Sequence, residues 1–190
     1  MPLLILTLLF AALVVAFRGG RLSTFESISL RWPLVLPTAV IAQLAAQAVT
    51  GPARVPLAVG SHATMALWFV VNTRAERGAR RSAFGLGAAG AIANLVPVLR
   101  YGGMPVSKRA LDAIGAGGVD VTVGNFGKHV LLENHHFGWW LGDVLAVPAL
   151  RCVVSLGDLV LMAGISVLVI EAGSPSRRGR RLPLAPANSR

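Results

Sequence analysis

The chain has 190 residues, of which 54% are hydrophobic and 14% are charged, and its mean hydropathy is +0.66. This composition excludes an ordinary soluble domain, because the polar residues are too few to cover a core of that size. The formal charge of +10 does not indicate nucleic-acid binding, since the basic residues lie between apolar segments and in the C-terminal tail. The single cysteine, Cys152, excludes an intrachain disulfide and a thiolate metal cluster.

Five apolar segments approach the length of about 20 residues that a helix needs to cross a membrane. They cover residues 2–17, 32–49, 56–72, 83–99 and 152–172. The sequence therefore predicts an all-α fold, an integral membrane bundle of about five transmembrane helices within one domain over residues 1–173. The first segment has a second interpretation as a cleaved signal peptide, although no basic residue precedes it.

The distribution of Lys and Arg predicts the orientation of these helices. Twelve of them lie in the first and third connections and in the tail, namely Arg18, Arg21, Arg31, Arg74, Arg77, Arg80, Arg81, Arg177, Arg178, Arg180, Arg181 and Arg190. Six lie on the other side, namely Arg54, Arg100, Lys108, Arg109, Lys128 and Arg151. Because cytoplasmic loops carry more basic residues, we expect the N-terminus outside and the C-terminus in the cytoplasm. The tail, residues 174–190, is expected to be disordered and attracted to anionic lipid head groups.

The segment between the fourth and fifth spans, residues 100–151, is expected outside, where it rests on the membrane face as an interfacial loop. Ser107 is positioned to cap a short helix there. Trp139 and Trp140 have amphipathic rings that favour the head-group level.

One run in this segment, Gly103, Met104, Pro105, Val106 and Ser107, has two interpretations. It predicts either a chain reversal followed by a helix cap or a ligand-binding loop.

Ionisable groups inside a membrane are costly, so Asp158 in the fifth segment requires a partner. It lies about seven residues into that segment, roughly 10 Å below the outer surface at 1.5 Å per residue. Asn94 lies at a similar depth, and the two are expected to meet a group of the outer loop in one outward-facing polar pocket. The candidate members are Asn94, Ser155, Asp158, Asp143, Arg100, Lys128 and His129. The alternative is an interhelical hydrogen bond that only fixes packing.

Other polar residues give weaker signals. His62 and Gln43 are expected to hydrogen-bond between helices. His129, His135 and His136 have no spaced carboxylate partner, so no metal site is predicted. No nucleotide-binding or hydrolase motif of a common class occurs, and no cofactor is predicted.

Several short motifs carry a resemblance that covers most of the chain. They are Asn94-Leu-Val-Pro97, Gly-Gly-Met-Pro-Val-Ser107, Lys128-His129, Leu141-Gly-Asp143 with Pro148, and Ser155-Leu-Gly-Asp158 with Gly164. In these motifs the chain resembles the uncharacterised bacterial membrane family called domain of unknown function 5317. The resemblance implies a small multi-pass protein of the bacterial cytoplasmic membrane, and it implies no particular activity.

A second resemblance, to lipoprotein signal peptidases, implies aspartyl peptidase activity. Residues 93–102, Ala-Asn-Leu-Val-Pro-Val-Leu-Arg-Tyr-Gly, are similar to the Gly-Asn-Leu-Ile-Asp-Arg-Leu motif of that family, and Ser155-Leu-Gly-Asp158 is similar to its Asn-Val-Ala-Asp motif. These enzymes need two carboxylates that share a proton. Pro97 occupies the position of the first catalytic aspartate, which leaves Asp143 or Asp112 of the outer loop as a substitute.

Three functions follow as expectations. The first is a non-enzymatic membrane protein whose outer pocket binds a lipid or a partner. The second is a membrane hydrolase related to the peptidases, and the third is a small subunit of a membrane complex.

Overall fold

The computed structural model describes residues 2–20, 30–49, 51–117, 129–132 and 138–173. Five apolar helices dominate these residues, and a mixed segment joins the fourth to the last. The helices are α1 (Pro2–Phe17), α2 (Val35–Ala48), α3 (Arg54–Ala75), α4 (Gly78–Tyr101) and α6 (Leu156–Gly173), with the short α5 (Lys108–Ala113) in the mixed segment. The predicted all-α bundle of apolar helices is confirmed. The predicted tail, residues 174–190, lies outside the described residues.

Three of the helices are long and apolar enough to cross a membrane. They are α3 with 22 residues, α4 with 24 and α6 with 18. Helices α1 and α2 are apolar but have only 16 and 14 residues. At 1.5 Å per residue they reach about 24 and 21 Å, less than the hydrocarbon thickness of about 30 Å.

The mixed segment, residues 102–155, is called the cap below. Its strands are β1 (Met104–Ser107), β2 (His129–Leu132), β3 (Leu145–Val147) and β4 (Cys152–Val154). β1 pairs with β2 in parallel, and β3 pairs with β4 antiparallel. Asp143 forms an isolated parallel bridge to Val106, so β1 is flanked on both sides. The sequence predicted a loop with one helix in this segment. The strands were missed because three or four residues are too few for an alternating pattern to appear.

Several predicted boundaries were wrong. The second span was expected from residue 32, but α2 begins at Val35 because the preceding backbone turns, with φ of 53° at Trp32. The third and fourth helices extend beyond the predicted 56–72 and 83–99, since hydrogen-bonded turns continue through polar residues that hydropathy does not mark. The fifth span was expected from residue 152, but residues 152–154 form β4.

The last correction changes the position of Asp158. Because α6 begins at Leu156, Asp158 lies in the first turn of that helix rather than about seven residues into a span. The predicted depth of roughly 10 Å below the outer surface assumed a span that begins at residue 152, and it stays a prediction.

Contacts between the long helices follow chain order only from α2 to α4. Extensive contacts join α1 to α6, α6 to α4, α4 to α3 and α3 to α2. An aromatic group between α3 and α4 contains Trp68, Phe69 and Phe84, with ring centroids of Trp68 and Phe69 5.1 Å apart. It packs in one core with Leu161 of α6. Helix α4 thus has α3 on one side and α6 on the other.

Small residues allow α4 and α6 to pack closely and antiparallel. A methyl group added at Gly90 would overlap the backbone of Gly157 and Leu161, and one at Gly164 would overlap the backbone of Gly87. Close packing of this kind stabilises helix pairs in lipid, where the hydrophobic effect does not drive association. It brings the C-terminal end of α4 beside the first turn of α6, at the end of the bundle that carries the cap.

Candidate functional site

Helix α6 begins with a capping box. The Ser155 Oγ accepts a hydrogen bond from the Asp158 backbone N–H at 2.9 Å, and Asp158 Oδ2 accepts one from the Ser155 N–H at 3.3 Å. Two donors at the helix start are thereby paired. A carboxylate in the first turn is also stabilised by the positive end of the helix dipole. The capping box and the helix dipole therefore explain why an aspartate occurs at the start of α6.

Asn94 of α4 completes this arrangement from the neighbouring helix. Its Nδ2 donates to Asp158 Oδ1 at 2.7 Å, and its Oδ1 accepts from Ser155 Oγ at 2.7 Å. Asn94 and Ser155 are buried. We call these three side chains the Asn94 cluster. Asn94 and Asp158 meet in the structure, and the use of their contact as a ligand pocket stays a prediction.

The Asn94 cluster is closed, because each side chain bonds the other two or their backbone. Both oxygens of Asp158 accept a hydrogen bond within the cluster. Proton transfer by an aspartyl pair would require a second carboxylate beside Asp158. Pro97, which the peptidase-like sequence motif aligns with an aspartate, is buried within α4 and has no titratable group. The cluster is chemically suited to fix α4 against α6.

A second polar group lies in the cap. Asp143 is 5% exposed, and its Oδ2 lies 3.0 Å from Nε2 of His129, whose side chain is 25% exposed. His129 is on β2 and Asp143 bridges the other side of β1, so the two side chains meet from opposite sides of that strand. We call them the Asp143 pair.

The backbone of Asp143 is held tightly against β1. Its N–H donates to the Pro105 carbonyl at 2.8 Å, and its carbonyl accepts from the Ser107 N–H at 3.1 Å. Gly142 makes this approach possible, since a methyl group there would overlap the Pro105 carbonyl oxygen. The position of the carboxylate is therefore set by the strand bridge and not by a flexible loop.

One oxygen of this carboxylate has no hydrogen-bond partner. Asp143 Oδ1 is buried, and no group in the described part of the chain donates to it. A buried acceptor left unpaired costs about 1–3 kcal/mol, and native structures contain few of them. The Asp143 pair therefore has one acceptor that the described residues leave unpaired, and its use as a ligand site stays a prediction.

The predicted loop motif supplies the framework of this pair. Gly102 ends α4 with a left-handed backbone, φ 68°, and the chain turns through Gly103. Three residues then form buried parts of β1, namely Met104, Pro105 and Val106. Ser107 precedes α5, but its side chain makes no cap hydrogen bond. The motif is thus a buried strand rather than an open loop.

The remaining candidates do not join one pocket. The His129 side chain contacts the Asp143 carboxylate. Within the described part of the chain, it forms no hydrogen bond with Asp158. Arg100 is exposed near the end of α4, and its guanidinium makes no hydrogen bond to Asp158 in the structure. Lys128 lies outside the described residues. The six described candidates therefore divide into the Asn94 cluster, the Asp143 pair, and Arg100, which hydrogen-bonds to neither group.

Within the bundle, His62 and Gln43 hydrogen-bond as the sequence predicted. His62 Nε2 lies 2.9 Å from Gln43 Nε2, and His62 Nδ1 lies 2.8 Å from the Ala58 carbonyl. A neutral ring with the proton on Nδ1 satisfies both contacts. Among the described residues no three His, Cys, Asp or Glu side chains are grouped to hold a metal, and His135 and His136 lie outside these residues.

Two features were missed at the sequence level. Ser155-Leu-Gly-Asp158 has the spacing of a capping box, and this spacing would have marked the start of α6 correctly. No sequence pattern indicated the contact of Asp143 with His129, because this contact depends on the pairing of strands on both sides of β1.

Comparison with known proteins identifies a family but no relative of known activity. Residues 27–170 match the model of a family described as "Family of unknown function (DUF5317)". The matched residues include the Asn94 cluster and the Asp143 pair. No curated protein and no solved structure matches the chain. The first resemblance seen in the sequence is thus confirmed, and the resemblance to lipoprotein signal peptidases stays a prediction.

Proposed function

This chain belongs to the family of unknown function DUF5317, and from that premise we propose that it is a non-enzymatic multi-pass membrane protein that binds a lipid or a partner protein at its cap end. The binding site is the Asp143 pair. The Asn94 cluster positions the cap on α4 and α6 and does not contact the ligand.

The observation that carries this proposal is the unpaired oxygen of Asp143. A ligand group that donates a hydrogen bond, such as a hydroxyl or an ammonium, would satisfy Asp143 Oδ1, which no described residue does. His129 would lie at the mouth of the site, since a quarter of its side chain is exposed. A donor from the ligand therefore adds a hydrogen bond without breaking an existing one.

The surroundings support a ligand with an apolar part. The cap lies at the ends of helices that could span a membrane. Large apolar side chains are exposed on the cap and beside it, among them Trp140 at 46% and Leu156 at 41%. Exposed apolar patches rimmed by polar groups are typical of surfaces that contact lipid or protein.

The proposal is tested by Asp143→Asn, which keeps the shape of the side chain and removes its charge. Wild type and variant are extracted with native membrane into nanodiscs, and co-purifying lipids and proteins are quantified by mass spectrometry. Asp112→Asn, an exposed change on α5 of the same cap, is the matched control. We expect one lipid class or one protein to be depleted with Asp143→Asn alone. Identical co-purifying sets in all three samples would contradict the proposal.

Two alternatives have distinct outcomes in related experiments. A hydrolase of the lipoprotein signal peptidase type rests on the sequence similarity of the motifs around Asn94 and Asp158, and it requires cleavage of a lipoprotein precursor that Asp158→Asn abolishes. A small subunit of a membrane complex requires a stable assembly larger than one chain in mild detergent.

The proposed location is the bacterial cytoplasmic membrane, with the N-terminus and the cap outside and the C-terminus in the cytoplasm. The support is the sequence count, in which twelve of the 18 Lys and Arg residues fall in the first and third connections and the tail. In a Cys152→Ser background, Asp112→Cys should react with an impermeant thiol reagent added to intact cells. Reaction only after the cells are opened would reverse the orientation.

A further inference from the structure

A cleft lies at the end of the bundle opposite the cap, where α3 turns into α4 and α6 ends. Its volume is ≈ 540 Å³, within the range of small-molecule sites. It is lined by Ala75, Glu76, Arg77, Ala79, Arg80 and Glu171. Two glutamates and two arginines are thus among the residues around one shallow space at this end of the bundle.

The carboxylates of this cleft are not neutralised by the described part of the chain. Glu76 and Glu171 form no ion pair with any described residue. Glu171 and Arg77 are exposed, and Glu76 is half-buried. The cleft therefore offers acceptors on Glu76 and Glu171 and a donor on Arg77.

The position of the cleft indicates what enters it. The three helices that meet there, α3, α4 and α6, are the three that could cross a membrane. The ends of spanning helices lie at the level of lipid head groups. A ligand at this level that matches both signs of charge carries a phosphate for the Arg77 guanidinium and an ammonium for the carboxylates.

We propose that this cleft binds the head group of a phospholipid with a primary ammonium, of the phosphatidylethanolamine type. Its phosphate accepts hydrogen bonds from Arg77, and its ammonium donates to Glu76 and Glu171. Phosphatidylglycerol has no cation for the two carboxylates. Phosphatidylcholine has a quaternary ammonium without an N–H donor, so it cannot form the same hydrogen bonds.

The experiment uses the full chain in nanodiscs that contain equal fractions of the three phospholipids. Lipids that stay bound after mild detergent extraction are quantified by native mass spectrometry. The variants are Glu76→Gln and Glu171→Gln, and the control is Asp112→Asn at the cap end. Free phosphoethanolamine, without acyl chains, is added in a parallel series.

We expect phosphatidylethanolamine to be retained over both other lipids by wild type and control. Each glutamine variant should lower that preference by about two- to tenfold, as for the loss of one hydrogen bond. Equal retention of the three lipids by wild type, or unchanged preference in both glutamine variants, would overturn the proposal. Displacement of the lipid by free phosphoethanolamine at matched concentration would assign the cleft to a soluble ligand and overturn the lipid source. These results are independent of the Asp143 pair, which lies at the other end of the bundle.

Discussion

The Asn94 cluster and the Asp143 pair lie at the same end of the bundle, and each contains one aspartate held by a hydrogen bond to a neighbouring element. They differ in completeness. Both oxygens of Asp158 are bonded to Asn94 and Ser155, whereas one oxygen of Asp143 has no partner in the described residues.

Under the proposed function, this difference separates a structural use of an aspartate at Asp158 from a ligand-binding use at Asp143. A fully paired polar group stabilises the packing that surrounds it, and removing one partner leaves the others unpaired. An incompletely paired group adds little stability and retains capacity to bind. The following substitutions measure how far this distinction holds, beginning with the largest effect.

Gly157→Ala should break the Asn94 cluster most severely. The added methyl group would overlap the Asn94 side-chain amide and approach the Gly90 carbonyl at 2.8 Å. Overpacking of this kind typically costs about 1–3 kcal/mol and occasionally more. The free energy of unfolding is measured by denaturant titration in mixed micelles. Gly60→Ala on α3, where a methyl group meets nothing within 4 Å, is the control, and an equal loss in both variants would refute the close α4–α6 contact.

Asn94→Ala should cost less than Gly157→Ala, because it removes contacts without adding volume. The change leaves Asp158 Oδ1 and the Ser155 hydroxyl without their partner, for which we expect a loss of about 1–3 kcal/mol. Ser155→Ala should cost a similar amount. The double variant should lose clearly less than the sum, since the two residues share one network, and strict additivity would contradict a closed cluster.

The helices of this chain could be predicted from its sequence because runs of apolar residues mark them directly. All five predicted segments correspond to helices α1 to α4 and α6. The predicted helix boundaries were less accurate where local hydrogen bonds, rather than apolar residues, determine where a helix begins. The start of α6 depends on the capping box of Ser155 and Asp158, which apolar composition does not reveal.

Asp143→Asn should change the free energy of unfolding by less than about 1 kcal/mol, since one oxygen of the carboxylate is already unpaired. The amide can still accept from His129 through its oxygen. The same titration as for Asn94→Ala provides the comparison. If Asp143→Asn destabilised the protein as much as Asn94→Ala, the distinction between a closed and an open site would fail.

Replacing both Trp139 and Trp140 by alanine should have the smallest effect on the bundle. The two residues form a short turn against α4 and α6, and Trp140 is largely exposed. Loss of their amphipathic rings should loosen the cap at the membrane interface. We expect faster proteolysis of residues 102–155 with an unchanged unfolding transition of the helices. Unchanged proteolysis would contradict the anchoring role.

The candidate site could be predicted only where two residues lie on adjacent helices. The sequence predicted the contact between Asn94 and Asp158 because each lies a similar number of residues from the outer end of its apolar segment. The structure contains this contact. The Asp143 pair could not be predicted in this way, because β2 reaches β1 through a connection of many residues. Such long-range strand pairing leaves no periodic pattern in a short segment.

The packing order of the helices has a consequence for synthesis of the chain. Helices α2, α3 and α4 contact their neighbours in sequence, so each hairpin can form as soon as its second helix leaves the ribosome. Helix α1 has its extensive contacts with α6, the last of the described helices to be translated. During most of translation α1 therefore lacks that partner. Arrival of α6 then joins α1 to α4 in one step, and Asp158 reaches Asn94 only at that moment.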